Sequence, residues 1–573
     1  MKFQLRVNPH SGDLLDWLLS ERGIEDIETY KEAPISSVQS PTALKNIDKA
    51  YEAFKKDDSN RVLTVVDSDM DGYCSSGILK NYLEKVYDGL TVDYFIHDQK
   101  QHGLSDVVQH IDLSEYKTVF LPDAGTNDAE YAEMYPETTF IILDHHELEE
   151  GNEPSENMIV VNNQLSPEYK NKDLSGTGVT WQFLRYIDSQ TGNRFADDYW
   201  DVVAASIVSD MMDLRPQENR AILERGLKFP NNNMILALGD KESYRLKGEL
   251  TPMGVAFYIA PLVNAMCRVG TLEEKERMFL AFAMDELFIE SNARGAMNGQ
   301  LIDVATESAR ECVNARSRQS RLRTKMADMS DTLIIEQALD EDPVLIIEMD
   351  ERFHGIPREL NGLAAQEISK KHGKPVLIGR VGDDGSLKGS VRAPEKIPVD
   401  SFKEFLSQSS LFEYTEGHAS AFGYSLPKKN LSRLYEYFED QWKPIESGDY
   451  VHEVDYQFDK IDQTLKDLCK MKHESRFIWG RGVEEPVIGG SFRVFQSEVR
   501  VMGQKADTVR ITKPGIEFMF FRQTPEQVEA LTESNAFSID IVGRVDINEY
   551  MGKETPQIIV GDYKIQEAGK FLF

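Results

Sequence analysis

Cysteine is scarce in this chain: four among 573 residues, at Cys74, Cys267, Cys312 and Cys469. None stands in a CxxC pair, so neither a zinc ribbon nor a disulfide framework is encoded, and a reducing cytoplasm is the predicted location. No apolar run reaches the roughly 20 residues of a membrane span. The longest, 253–266, is interrupted by Pro261 and Asn264. The opening MKFQLRVNPHSGD has no apolar core, so export is not predicted. Internal repeats and low-complexity tracts are also missing. Basic residues are outnumbered, 64 Lys plus Arg against 97 Asp plus Glu, for a formal charge of −33. A field of that sign repels phosphate, so any nucleic-acid contact must be local, through a basic groove or bound cations.

What remains is the balance of a globular protein, 41% hydrophobic and 28% charged, and long enough for roughly three or four domains. Residues 1–57 read as a short helical preface. From Arg61, uniformly apolar runs alternate with helical patterns: RVLTVV, TVDYFI, TVFL, TTFIIL and MIVV, ending at 161. Runs apolar at every position suit strands covered on both faces, which predicts a parallel α/β sheet within 58–300. A polar, Arg-rich helical stretch, 301–340, reads as a connector. A second, smaller α/β unit fits 341–445, and the short strand-like runs of 446–573 predict a small β-barrel.

Three of the early runs end in an acid: Asp67, Asp123 and Asp144. Ligands of open α/β sheets sit outside the carboxyl ends of the strands, so these carboxylates point to one shared site. Asp67-Ser68-Asp69-Met70-Asp71-Gly72 carries acids at alternate positions, expected on one side before a helix starting near Cys74. Like charges so close need a cation to offset them. His145 and His146 follow Asp144, and Asp210 ends the apolar run VVAASIVSD. Singly, each is as well explained by a helix cap or a satisfied core histidine. Together they form a set of hard oxygens with one or two imidazoles, which suits Mn²⁺, with Mg²⁺ the other ion such oxygens accept. So many ligands suit two ions sharing a carboxylate, able to activate water for in-line attack on phosphorus.

The order DSDMDG, LPDAG, LDHH and VSD resembles the four motifs of the DHH phosphoesterases. LSGTGV (174–179), the stretch 209–227 and PLVNAMCRVG (261–270) are similar to that family's RecJ branch, the single-strand-specific 5′-to-3′ exonucleases. GSVR (389–392) and EGHASAFG (416–423) resemble its DHHA1 domain, and 541–560 its OB-fold barrel. The resemblance implies metal ligation by Asp67, Asp69, Asp71, Asp123, His145 and Asp210, with Asp123 bridging. It implies that Asp144 orients a histidine and that His146 and Arg268 stand by the scissile phosphate. It places Ser390 and Arg392 at the 5′-phosphate, with Asn264, His418 and Lys100 also at the substrate.

The activity so implied is that of a Mn²⁺- or Mg²⁺-dependent exonuclease that degrades single-stranded DNA from the 5′ end in repair or recombination, with a helicase and a single-strand-binding protein as expected partners. A phosphodiesterase of short oligonucleotides or cyclic dinucleotides, and a replication scaffold on the same fold, are the alternatives. Two departures from the family stand out. HDQKQHGLS (97–105) lacks the arginine usual before the glycine. Lys100 stands instead, a point charge without a bidentate fork, so dependence on a 5′-phosphate is expected to be weaker. Glu416 replaces a common glycine. On the connector, Arg318, Arg321 and Lys325 share a helical face that suits either a strand's backbone or solvent. Phe492, Phe495, Phe518 and Phe520 suit base stacking or the barrel's own core.

Overall fold

The computed structural model describes residues 1–6, 12–99, 101–394, 397–442, 451–550 and 552–566. Strand β1 (Lys2–Leu5) and the helices Leu14–Glu21, Ile27–Glu32 and Ile47–Lys55 precede five strands: β2 (Arg61–Val66), β3 (Thr91–Ile96), β4 (Thr118–Pro122), β5 (Thr139–Asp144) and β6 (Met158–Asn162). These form one parallel sheet in the order β3-β2-β4-β5-β6. Side chains alternate between faces along a strand. Val62, Val66, Phe120, Ile141 and Leu143 accordingly enter one core, whereas Leu63, Val65, Val119, Phe140 and Ile142 enter another on the opposite face. Because β2, β4 and β5 are neighbours, their acid-tipped ends lie side by side.

Helices cover the first face. Two of them, Met70–Val86 and Gly176–Thr191, begin at the carboxyl edge of the sheet. The first starts at Met70 rather than near Cys74 because Asp69 caps it, accepting from the N–H groups of Asp71 and Gly72. Pro252–Val269 is long and apolar enough to span a membrane by composition. It instead lies in the core, with Val255, Ile259, Leu262, Val263 and Met266 buried. Pro261 is accommodated in the first turn of its second half, Ala260–Val269, after a π turn at Val255–Ile259. A short hairpin, β7 (Phe288–Glu290) with β8 (Leu301–Asp303), was not legible in the sequence.

The connector is one helix, Val304–Glu336, of 33 residues and so about 50 Å long. Its first half packs Ala305, Ala309, Cys312 and Ala315 into the core of the large domain. Its second half gives Met326, Leu333 and Ile334 to a separate core of the smaller unit. That unit has β9 (Leu345–Glu348), β10 (Val376–Val381), β11 (Ser386–Arg392), β12 (Tyr414–His418) and β13 (Ala421–Pro427), in the order β12-β13-β11-β10-β9. The predicted cationic face is partly neutralised, since both Arg318 Nη atoms meet Glu274 at 3.0 and 2.6 Å.

The barrel region contributes β14 (Val451–Val454), β15 (Tyr456–Phe458), β16 (Val487–Phe495), β17 (Val499–Met502), β18 (Thr508–Lys513), β19 (Ile516–Phe520), β20 (Ala536–Tyr550) and β21 (Lys553–Gln566). The last seven form one sheet, ordered β15-β16-β20-β21-β19-β18-β17. Phe518 and Phe520 are buried in its core, whereas Phe495 is exposed with Arg493 and Lys513 over its ring. The preface is not purely helical, because β1 pairs in parallel with β14. The barrel's apolar interior and that of the large domain form one continuous cluster.

A buried ion pair reinforces this junction. Arg22 reaches both oxygens of Asp455 at 2.9 Å, and Val487 N–H donates to the same carboxylate at 2.8 Å. Arg22→Met would leave Asp455 buried without its cation, at a cost of about 3–5 kcal/mol. Arg22→Met combined with Asp455→Leu should recover most of that loss, as measured by urea unfolding.

Candidate metal centre

Four segments bring acids to the carboxyl edge of the parallel sheet. Asp67 follows β2 and is 2% exposed, with Oδ1 at 2.6 Å from His102 Nδ1. Asp69 is the helix cap and Asp71 lies in the first helical turn. Convergence therefore comes from a strand-to-helix turn, not from the alternation of an extended segment. Asp71 accepts from the N–H groups of Gly176 (2.8 Å) and Thr177 (2.9 Å), and from the hydroxyls of Thr177 and Ser206. The start of the helix Gly176–Thr191 thus brings backbone donors and a positive dipole end to the carboxylate.

Asp123 follows β4 with φ of +64°, in the left-handed region that aspartate tolerates better than most residues. Its N–H is tied to Leu143 O at 2.9 Å, which turns the side chain into the site. Oδ1 is buried and has no hydrogen-bond partner, although His145 Nε2 lies 3.3 Å away. His145 Nε2 is also 3.4 Å from Asp210 Oδ2. Burial, reinforced by the charges of Asp71, Asp69, Asp67 and Asp210, pushes Asp123 well above the usual carboxylate range. Burial and the charges of Asp71 and Asp69 raise Asp210 to about 8. Burial lowers His145, which keeps its imidazole neutral with a lone pair to offer.

His146 is held differently. Asp144 Oδ1 accepts from the N–H groups of His145 (2.7 Å) and His146 (3.2 Å) and meets His146 Nδ1 at 2.7 Å, while Oδ2 accepts from Thr126 N–H at 3.1 Å. Burial alone would raise Asp144, but the hydrogen bond and charge of His146 outweigh it and leave the carboxyl below its ordinary range. The same bond raises His146 to about 9. Asp144 is therefore the orienting partner of His146.

Asp67, Asp69 and Asp123 each place an oxygen within 4.8 Å of the others, as do the ligand atoms of Asp71, His145 and Asp210. The unpartnered oxygen of Asp123, the neutral imidazole and the crowd of hard oxygens fit divalent cations of the Mn²⁺ or Mg²⁺ kind. Glycines keep the space open. A Cβ at Gly176 would stand 2.3 Å from Asp123 Oδ1, and one at Gly72 would stand 2.4 Å from Asp67 Cβ.

The remaining expected residues are spread around this centre. Asn264 directs its Oδ1 to Met70 N–H (3.2 Å), bracing the DSDMDG turn, and Arg268 leans back on Asn264 O at 3.4 Å. Ser390 and Arg392 stand on β11 of the smaller unit, where the Arg392 Nη2 would touch a Cβ placed on Gly362. His418 ends β12 on an exposed hairpin and has no hydrogen bond to the acids among the described residues. Lys100 lies outside the described residues. Sequence reasoning missed His102 and Ser206. Ser206 lay in an apolar helical run, and His102 in a loop noted only for its missing arginine.

The model of the DHH family, N-terminal domain, matches residues 61–207, and that of the RecJ OB domain matches 460–562. Over 571 residues the chain is 32% identical to YorK of Bacillus subtilis (strain 168), named as an SPbeta prophage-derived single-strand DNA-specific exonuclease, with 97% of each chain covered. It is 24% identical to the single-stranded-DNA-specific exonuclease RecJ of the same organism over 98% of this chain and 69% of that one. RecJ from Thermus thermophilus in complex with Mn²⁺ matches the fold with a TM-score of 0.70 at 20% identity, over 96% of this chain and 76% of that one. The corresponding Mg²⁺ complex gives 0.66 at 20% identity, over 96% and 74%.

Gly176→Ala should lower Mn²⁺ affinity at least about tenfold by calorimetry, the scale seen when groups supporting metal ligands are disturbed. The circular dichroism spectrum should be unchanged, because residue 176 lies in a helical turn that alanine adopts.

Proposed function

Because the chain belongs to the RecJ-like DHH phosphoesterases, we propose that it is a divalent-metal-dependent exonuclease that degrades single-stranded DNA from its 5′ end, in repair or recombination in the cytoplasm. The observation that carries this reading is the buried acid cluster, above all Asp123, whose Oδ1 has no hydrogen-bond partner among the described residues. Asp67, Asp69, Asp71, Asp123, His145 and Asp210 would hold the metal, and their number suits two ions. When bound, such ions lower the pKa of water and stabilise the attacking and leaving oxygens of a phosphoryl displacement.

The chain's own groups prepare that reaction. Thr177, Gly176 and Ser206 fix Asp71, and Asp144 fixes the His146 ring. His146, exposed beside the acids and tied through Nδ1 to Asp144, is free to present the other edge of its ring to a scissile phosphate. In this reading the catalytic domain spans 58–300, the connecting helix 301–340, the DHHA1 domain 341–445 and the barrel 446–573.

The strand has a path to the barrel. Met211, next to Asp210, and Phe257 are both 54% exposed. They line a 440 Å³ cleft together with Arg481 and Arg544, which have no ion pairs among the described residues. Apolar side chains for bases beside guanidinium groups for phosphates suit a single strand. A duplex would have to be unwound first, so a helicase and a single-strand-binding protein are the expected partners.

The test is a time course on 5′-phosphorylated, 3′-labelled single-stranded DNA. The wild type with Mn²⁺ should shorten the labelled strand progressively; chelation with EDTA should stop it and added Mn²⁺ restore it. Asp123→Ala should be at least about a thousandfold slower, since the loss of a metal removes several kcal/mol of transition-state stabilisation. Intact labelled strands with the wild type, or equal rates on blunt duplex, would overturn the reading.

A further inference from the structure

A second cleft, of about 670 Å³, opens between the large domain and the smaller unit. One wall carries Asp98, Gln99 and Arg268; the other carries Arg358, Glu359 and Arg380. The first wall is close to the metal centre, because Ser68, the neighbour of Asp67, donates its hydroxyl to Gln99 O at 3.2 Å. Behind it, buried Lys275 donates to Asp98 O at 2.6 Å and fixes the 98–99 segment.

The arginines here differ from most others in the chain. Arg277, Arg310, Arg318, Arg323 and Arg352 are all paired with carboxylates. Arg268, Arg358 and Arg380 have no ion pair among the described residues. Arg380 Nη2 donates to Phe353 O (3.1 Å) and Ile356 O (2.8 Å), which anchors the loop bearing Arg358. The Arg358 side chain is exposed. Three guanidinium groups thus outweigh two carboxylates in the lining of an open cleft, on a chain whose formal charge is −33.

The register ties this cleft to the expected 5′-phosphate residues. Ile378 pairs with Ser390, Val376 with Arg392 and Arg380 with Lys388. Directly opposed residues share a face of a sheet, so Arg380, Ser390 and Arg392 stand on the same face.

Resting on the exonuclease reading, we propose that Arg358 and Arg380 of the smaller unit form a phosphate-binding subsite that faces Arg268 across the cleft and grips the substrate strand. Planar guanidinium forks match phosphate oxygens, and their charge is not already neutralised by the protein. The phosphate is either the strand's 5′-terminal monoester or an internucleotide diester. The subsite supplies, from the smaller unit, the fork that the loop 97–105 lacks.

The test uses the full chain and a 3′-fluorescein-labelled twelve-residue oligothymidylate, carrying either a 5′-phosphate or a 5′-hydroxyl. Binding is followed by anisotropy in EDTA across a salt series. The Arg358 side chain makes no hydrogen bond or ion pair among the described residues, so its variants are expected to fold. Arg358→Ala should weaken binding roughly tenfold, the worth of one charged hydrogen bond, and Arg358→Glu should weaken it further. The salt dependence of log K should become shallower by about 0.7 per lost phosphate contact. Arg358→Lys should restore that slope while recovering only part of the affinity. Loss confined to the 5′-phosphorylated strand assigns the terminal monoester; equal loss on both assigns the backbone. Wild-type affinity and slope in Arg358→Glu would overturn the subsite. Failure of the wild type to bind or cut either strand would instead overturn the exonuclease reading, and that result comes before any variant is made.

Discussion

Coulomb repulsion among Asp67, Asp69, Asp71, Asp123 and Asp210 is the constraint around which this molecule is organised. Acids gathered at the edge of a sheet, most of them buried, would drive one another apart or take up protons unless the fold held them in place. Asp71 is surrounded by four donors. Asp69 caps a helix, and Asp123 is fixed by a left-handed backbone tied to the neighbouring strand. Glycines at 72 and 176 leave room where any side chain would intrude. Burial and the neighbouring charges still push Asp123 and Asp210 up, and a bound cation is the natural way to offset that repulsion.

The parts of the molecule around this centre are packed against it unequally. The barrel is joined to the catalytic domain by a shared apolar core, by the β1–β14 pairing and by the buried Arg22–Asp455 pair. The smaller unit has cores of its own and is joined mainly through one long helix. The chain thus has one fixed wall and one separately packed wall, with the unpaired arginines facing the space between them.

The sequence made the parallel sheet legible because strands covered on both faces must be apolar at every position, and RVLTVV, TVFL and TTFIIL obey that rule. Acids at the strand ends were legible for the same reason, as breaks in apolar runs. The geometry of Asp69 and Asp71 was not, since a helix cap and an extended alternation look alike in DSDMDG. The four-residue β1 was too short to show a period, and its partner β14 lies some 450 residues later. The support given by Ser206 and His102 depends on contacts between distant segments, which no local pattern encodes. The cleft arginines were invisible for a further reason: an arginine with a partner and one without read identically until the carboxylates are placed.

The helix Val304–Glu336 has a consequence of its own. One end is embedded in the domain that carries the acids, the other in the unit that carries Arg358, Arg380, Ser390 and Arg392. The central turns of the helix are largely exposed. On the exonuclease reading, the distance between the site of cutting and the proposed grip on the strand is therefore borne by a single helix.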